Sequence, residues 1–426
     1  MKLSVTSEIG RLKTVLVHLP GREIDLMMPS MMEQLLFDDI LYGQVAREEH
    51  RKFQQVIRQV ADEVVDIKDL LEEAFEDDGI RKEILADFAM REPLAKKTLN
   101  RLHDLPAGEL ADLLISGIEA PRRSKTLAHS FELAPVPNLF FMRDPQMVLG
   151  DGVVVSAMAT EARRRESLLS RYVFGFHPAF RERDLFWMDH HEDPWPKTAA
   201  AARRRPTLEG GDVLIARRDL LLAGVTERTN RAGIERLAES LRENNSDVQT
   251  IIVVEIPQKR SYMHLDTVFT ITNHHECLVY PPVILEGGAE EADVYELDLT
   301  RKQLTYKSVP SLLAAMANRG MELEPIPCGG SDLIDQQREQ WTDGANTFAL
   351  APGMIILYER NVKTAEELDR HGYHIIYEDD ILLGRVELET WTDRKYAIQI
   401  QGHELSRARG GPHCMTMPLE REVLED

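Results

Sequence analysis

The sequence predicts an α/β protein made of several strand–helix modules, with an all-helical stretch set among them. Three observations lead there. One grammar returns along the chain from about residue 138: a turn, a β-prone apolar strand, a loop bearing Glu or Arg, then an amphipathic helix. GDGVVVSAMATEARRRESLL, RRDLLLAGVTERTNRAGIERL and PGMIILYERNVKTAEELDR all follow it. Their spacings are too uneven for a tight solenoid. Residues 68–118 break the grammar with short leucine-spaced helices. No apolar run approaches the roughly 20 residues of a membrane-spanning helix.

Taken in order, SEIGRLKTVLVHLPG places an apolar run, Val15 to Leu19, before Pro20-Gly21, which reads as a buried strand and a turn. AREEHRKFQQVIRQVAD spaces Phe53, Val56, Ile57 and Val60 for one buried helix face. KDLLEEAF, GIRKEILADFA, PLAKKTLNRL and PAGELADLLISG form the helical stretch. There Pro93 and Pro106 suit first-turn positions and Gly117 a C-terminal cap. The modules then resume, and CLVYPPV at Cys277 to Val283 repeats their strand alone. Near the end, RVELETWTDRKYAIQIQG, Arg385 to Gly402, alternates like a pair of strands. It predicts a hairpin near a pocket mouth or a subunit interface.

The 426 residues carry a formal net charge of −21, and the basic runs, Arg163 to Arg165 and Arg203 to Arg205, are short. That balance argues against a nucleic-acid partner; the arginine runs read as solvent-facing helix charges. Neither GxGxxG nor a Walker sequence sits at a strand–helix junction. The first residues, MKLSVTSEIGRL, lack the apolar core of a signal peptide. Three cysteines far apart, Cys277, Cys328 and Cys414, do not form a disulfide framework or a CxxC zinc pair. A reducing, cytoplasmic setting without a membrane partner is expected.

Four stretches concentrate reactive residues at strand edges or glycine turns: PNLFFMRDP, LEGGDVL, MHLDTVF and RGGPHCM. Together they offer one thiol (Cys414), one histidine (His264) and carboxylates at Asp144, Glu209, Asp212 and Asp266. A thiol with a histidine suggests covalent catalysis. Carboxylates around a thiol raise its pKa, so the set makes sense for a cationic substrate; a planar guanidinium suits paired carboxylates. Free Cys414 is then expected to be protonated near neutral pH, with substrate charge promoting ionisation. His264 and Asp266 lie two apart and would share one face of an extended strand. Each residue also has a plainer reading: a buried apolar cysteine, a structural histidine, and turn residues in RDP and EGGD. DHHED at Asp189 to Asp193 and NHH at Asn273 to His275 read as solvated loops, not metal sites.

Taken in order, these motifs resemble the arginine deiminase family of the guanidine-modifying (pentein) superfamily. SEIGRLKTVLVHLPG, LLFDDI, PNLFFMRD, EARRRESLL, LEGGDV, TERTNRAG, MHLDTVF, REQWTDGANTFAL and RGGPHCMTMPL carry the resemblance over nearly the whole chain. It implies a five-bladed αβ propeller over residues 1–66 and 119–426, with a helical domain inserted at 67–118. It implies hydrolysis of L-arginine to L-citrulline and ammonia without metal or organic cofactor. Cys414 would attack the guanidinium carbon, and His264 would protonate ammonia and then activate water. Asp144 and Asp266 would hold the guanidinium, Glu209 would orient His264, and Asp212 would be structural. Asn138, Phe141, Arg164, Arg228 and Arg409 would contact substrate, Arg409 also gating the site, and Phe37, Asp38 and Asp39 would belong to a closing loop. A homo-oligomer is expected. The enzymatic alternatives are an amidinotransferase or a methylarginine hydrolase, which are usually shorter chains without the helical insertion; the non-enzymatic one is a dead propeller serving as a binding scaffold.

Overall fold

A computed structural model describes the chain except residues 93, 121–130, 181–184, 188–195, 197, 199–200, 202–203, 391 and 425–426. Five of its sheets share one plan: an antiparallel strand pair, one member of which takes a third strand in parallel. Gln146–Leu149, Gly152–Val155 and Leu185–Trp187 form one such set. Val213–Arg217, Leu220–Val225 and Thr250–Glu255 form the next, widened by Asp293–Asp298 and Tyr306–Val309. Phe269–Asn273, Glu276–Val279 and Glu324–Pro327 follow. Then come Phe348–Ala351, Met354–Tyr358 and Lys395–Ile400, with Tyr373–Tyr377 on the outer edge. The remaining set joins the two ends of the chain: Leu12–Val17 runs antiparallel to Met417–Arg421 and parallel to Glu63–Asp66. Five such modules in a mixed α/β chain are the number expected of the αβ propeller.

Parallel third strands require crossovers, and this explains the strand–loop–helix grammar. Helices Gly43–Ile57, Arg164–Phe176, Arg231–Glu243 and Val362–Arg370 fill four of them. The first strand is Leu12–Val17 rather than Val15–Leu19. It stops before His18, whose ring is held between Asp66 and Glu23.

Four helices occupy Ile67–Glu76, Asp78–Arg91, Lys96–His103 and Ala107–Ser116. Asp66 caps the first by accepting from the Lys68 N–H, and Asp77 caps the second through Gly79 and Ile80. Pro106 stands at the N-cap of the fourth, and Gly117, at φ 82°, closes it with an N–H bond to the Leu113 carbonyl. Pro93 lies outside the described residues. Leu70, Phe75, Phe88 and Leu110 share one buried cluster with Leu139, Val154 and Leu237, so the helices pack directly on the modules.

Two expectations need correction. Among the described residues of 385–402 no hairpin forms. Lys395–Ile400 is an inner strand, parallel to both Met354–Tyr358 and Tyr373–Tyr377. Tyr396 to Ile400 are all buried, as suits a central parallel strand. Both its edges are thereby taken, so the alternating residues before it find no ladder to join. The run Arg163 to Arg165 is not a solvent-facing charge patch either, since Arg163 and Arg165 are buried. The other run is only partly described. DHHED also lies outside the described residues, whereas His274 and His275 sit exposed in a turn between strands.

Candidate active site

The loops that lead into Gln146–Leu149, Val213–Arg217, Phe269–Asn273, Phe348–Ala351 and Met417–Arg421 converge, and backbone bonds fix their spacing. The 3-10 turn Pro137–Phe140 leads to Arg143. Its N–H donates to the Cys414 carbonyl at 3.0 Å and its Nε to the His413 carbonyl at 3.3 Å. The Gly210 N–H donates to the Asp144 carbonyl at 3.0 Å. A Cβ on Gly210 would stand 2.0 Å from the Arg143 carbonyl oxygen, so the LEGGD loop approaches this closely only with glycine there. Asp212 accepts from the Leu265 N–H (2.9 Å) and the Thr226 hydroxyl (2.8 Å), tying this loop to the His264 turn. Asn346, in TDGANTF, accepts the Cys414 N–H at 3.1 Å and donates to the Asp266 carbonyl at 3.0 Å.

These ties gather Cys414, His264, Glu209, Asp144 and Asp266, all buried. The Cys414 Sγ lies 3.6 Å from Asp266 Oδ2. His264 Nε2 is 2.9 Å from Glu209 Oε2, and its Nδ1 is 3.7 Å from Asp144 Oδ1. Each aspartate has one oxygen held and one open. Asp144 Oδ2 accepts from Arg163 at 2.7 Å, and Asp266 Oδ2 pairs with His413 Nδ1 at 2.8 Å. Asp144 Oδ1 and Asp266 Oδ1 are buried without a hydrogen-bond partner. Such orphaned oxygens carry a desolvation cost that a cationic ligand would relieve. His264 and Asp266 do not share a strand face: they are brought to the site by the 3-10 turn Leu265–Thr267, with His264 extended just before it.

The electrostatics follow from this packing. Burial pushes the Cys414 thiol well above its ordinary pKa, and Asp266, Asp144 and Asp343 push it further. Burial opposes the charged form of His264, but Asp144, Asp212 and the Glu209 hydrogen bond prevail and lift it to about 10. Burial likewise opposes ionisation of Glu209, but His264, Arg228 and Arg163 hold its carboxyl below the usual range. Asp266 is also lowered, by His413 against burial. The resting site therefore holds a neutral thiol beside a protonated imidazole at neutral pH.

The other expected residues divide. Asn138 is buried and donates to the Leu35 carbonyl at 2.7 Å. Phe141 is buried and meets Gly410, where a Cβ would come within 2.2 Å of its ring. Arg228 is buried next to Met263, with Nη1 unpartnered. Arg409, at φ 64°, stacks its guanidinium 3.5 Å from the Trp341 ring centroid and lies 3.9 Å from Asp38. Phe37 is buried, Asp38 pairs with Arg260 at 2.8 Å, and Asp39 takes Arg407 by two bonds of 2.9 and 2.7 Å. Arg164 lines a cavity with Leu35 and Arg165. Its neighbour Arg163 reaches Glu166 (2.8 Å), Asp144 (2.7 Å) and Glu209 (3.4 Å). In a run of three arginines the sequence does not say which one meets these carboxylates. His413, adjoining the thiol, spans Asp266 and Glu8, the latter at 3.1 Å. Only the fold brings Glu8 there, across 405 positions.

Asp144, Glu209 and His264 present ligand atoms within 4.8 Å of one another, a spacing open to a metal ion. The Arg163 guanidinium faces the same carboxylates, 2.7 Å from Asp144 and 3.4 Å from Glu209.

A model of the family described as arginine deiminase matches residues 33–421. The arginine deiminase of Borrelia duttonii (strain Ly) is 35% identical over 438 residues, covering 99% of this chain and 98% of that protein. That of Listeria monocytogenes serotype 4a (strain HCC23) is 35% identical over 440 residues, with the same coverage. Among solved structures, SxtG, an amidinotransferase from Microseira wollei, superposes with a TM-score of 0.55 at 13% identity, covering 99% of this chain and 98% of that one. The N-terminal domain of ArgZ, a cyanobacterial arginine dihydrolase, gives 0.51 at 15% identity over 97% and 99%. At those identities the structures speak for a common fold alone.

Proposed function

The chain belongs to the arginine deiminase family, and from that premise we propose how its site hydrolyses L-arginine to L-citrulline and ammonia. The observation that carries the reading is the pair of open oxygens, Asp144 Oδ1 and Asp266 Oδ1, beside the thiol. They accept N–H groups of the substrate guanidinium, while Arg163 and His413 keep the other oxygens in place. The arriving positive charge offsets the field that keeps Cys414 protonated, and the thiol ionises, its proton leaving to solvent. The thiolate attacks the guanidinium carbon, forming a C–S bond and a tetrahedral centre. His264, protonated and with Nε2 committed to Glu209, gives the Nδ1 proton to the departing nitrogen. Ammonia leaves and a thiouronium remains on Cys414. Neutral His264 then takes a proton from water, whose oxygen adds to the same carbon. Collapse forms the ureido carbonyl and breaks the C–S bond, the hydroxyl proton passing through solvent to restore the Cys414 thiol as citrulline is released.

Asn138, Arg164 and Arg228 are proposed to hold the amino-acid end of the substrate, with Phe141 and Arg409 also in contact with it, while Arg163 stays with Asp144 and Glu209. Residues 37–39 act as a lid fastened by Arg260 and Arg407. The helices of 67–118 are read as an inserted domain, and the cytoplasmic, self-associating state remains part of this proposal. In support of the former, all three cysteines are free and buried; in support of the latter, Leu333, Ile334 and Val362 are exposed.

The test incubates the protein with arginine alone. Ammonia and citrulline in equal amounts, abolished by Cys414→Ser, are expected. A requirement for an acceptor amine would replace this reading with amidinotransfer.

A further inference from the structure

A cavity of about 460 Å³ lies apart from the five clustered residues, none of which lines it. Its wall joins the start of the lid, the end of the helix Asp78–Arg91, and the turn that begins the helix Arg164–Phe176. Arg163 turns toward Asp144, while Ala162, Arg164 and Arg165 face this cavity.

Its polar groups are unevenly satisfied. Arg165 is only 7% exposed. It donates through Nη2 to the Ala134 carbonyl, and its Nε has no partner. The Thr160 hydroxyl, on the same wall, is also buried without a partner. A buried guanidinium with an open N–H favours an oxyanion. The exposed part of the rim has the opposite sign, for Glu132 and Glu161 are exposed, whereas Arg91, Glu92 and Arg164 are half-buried in the wall. A simple anion meets that rim unfavourably, and a simple cation meets Arg165. A zwitterion satisfies both ends.

We propose that this cavity is a second site for a free α-amino acid, its carboxylate on Arg165 and Thr160 and its ammonium toward Glu132 and Glu161. This extends beyond the proposed reaction, since it requires binding and no turnover. The site also touches the machinery. Leu35, in its wall, accepts the Asn138 side-chain N–H through its carbonyl, and Ala162 and Arg164 flank Arg163. Occupancy therefore stiffens the root of the lid and alters the KM for arginine.

Equilibrium dialysis of labelled L-arginine against the full-length Cys414→Ala protein tests this. Two molecules per chain are expected. Reversing the exposed rim with Glu161→Lys should weaken the second site at least tenfold while leaving the first and the melting temperature unchanged; Glu132→Lys, which also releases the Thr98 hydroxyl held at 2.8 Å, should weaken it likewise. Arg165→Met, where it folds, should also remove the second site. One molecule per chain overturns the proposal, as does a second site indifferent to the rim reversal. No binding at all overturns it and the proposed substrate together, so the two failures are told apart.

Discussion

Replacing Asp266 by Asn should slow catalysis while making the resting thiol more reactive. Asp266 is fully buried, with Oδ2 3.6 Å from the Cys414 Sγ and Oδ1 open. Asn keeps the shape and removes the charge. The substrate cation loses one partner, and truncating a buried charge pair costs about 2–5 kcal/mol. At about 1.4 kcal/mol per decade, kcat/KM for citrulline release should fall roughly 30- to 5,000-fold. The same carboxylate raises the Cys414 pKa, second only to burial. Its loss should move the midpoint of the pH–rate curve for iodoacetamide alkylation downward in substrate-free protein. Cys277 and Cys328 are fully buried and serve as internal controls, because they react only if the protein opens. Peptide mapping should therefore find label on Cys414 alone. A kcat/KM within tenfold of the parent, or an alkylation midpoint that does not move, would refute the electrostatic argument.

Other perturbations probe different parts of the molecule. Buried His18 lies between Asp66 (3.1 Å) and Glu23 (3.2 Å); burial opposes its charge, but the carboxylates raise it to about 10. Its folded pKa exceeds the ordinary value of about 6.5, so its stabilisation is full below that pH and is lost as pH rises through about 10. His18→Asn should melt well below the parent near pH 6 and approach it above pH 10 in thermal scans at a series of pH values; a constant gap would count against the pairing. Gly211→Ala would place a Cβ 2.8 Å from His264 Cγ and 3.0 Å from Asp144 Oδ1. A misplaced imidazole should cost about a hundredfold in kcat, measured by citrulline release, with Cys414 labelling retained. Arg407→Gln unfastens Asp39 from the lid clasp. Both partners are more than a third exposed, so melting should change by less than about 1 kcal/mol. KM should rise, and its dependence on added salt should flatten relative to the parent.

The strand–helix grammar was legible because each module must bury one strand face and one helix face, and that need is written locally in apolar spacing. The helices of 67–116 were legible for the same reason, down to Gly117 at its positive φ. Residues 385–402 were misread because alternation marks a strand without saying which edge will receive it; the neighbours Met354–Tyr358 and Tyr373–Tyr377 decided that. Among the site residues, the reactive types were visible as thiol, imidazole and carboxylates in four marked loops. Their partners were not. That Arg163 would reach Asp144, and that Glu8 would meet His413 from the far end of the chain, lay in the fold.

By itself, the sequence determined the chemistry available, the α/β class and the glycines that let loops approach, because those depend on residue type and short-range spacing. The tertiary structure alone decided which oxygen of each aspartate stays open, which arginine neutralises the cluster and how far the thiol pKa rises. Those quantities depend on distances of a few ångströms between residues hundreds of positions apart, inside a medium from which water has been removed.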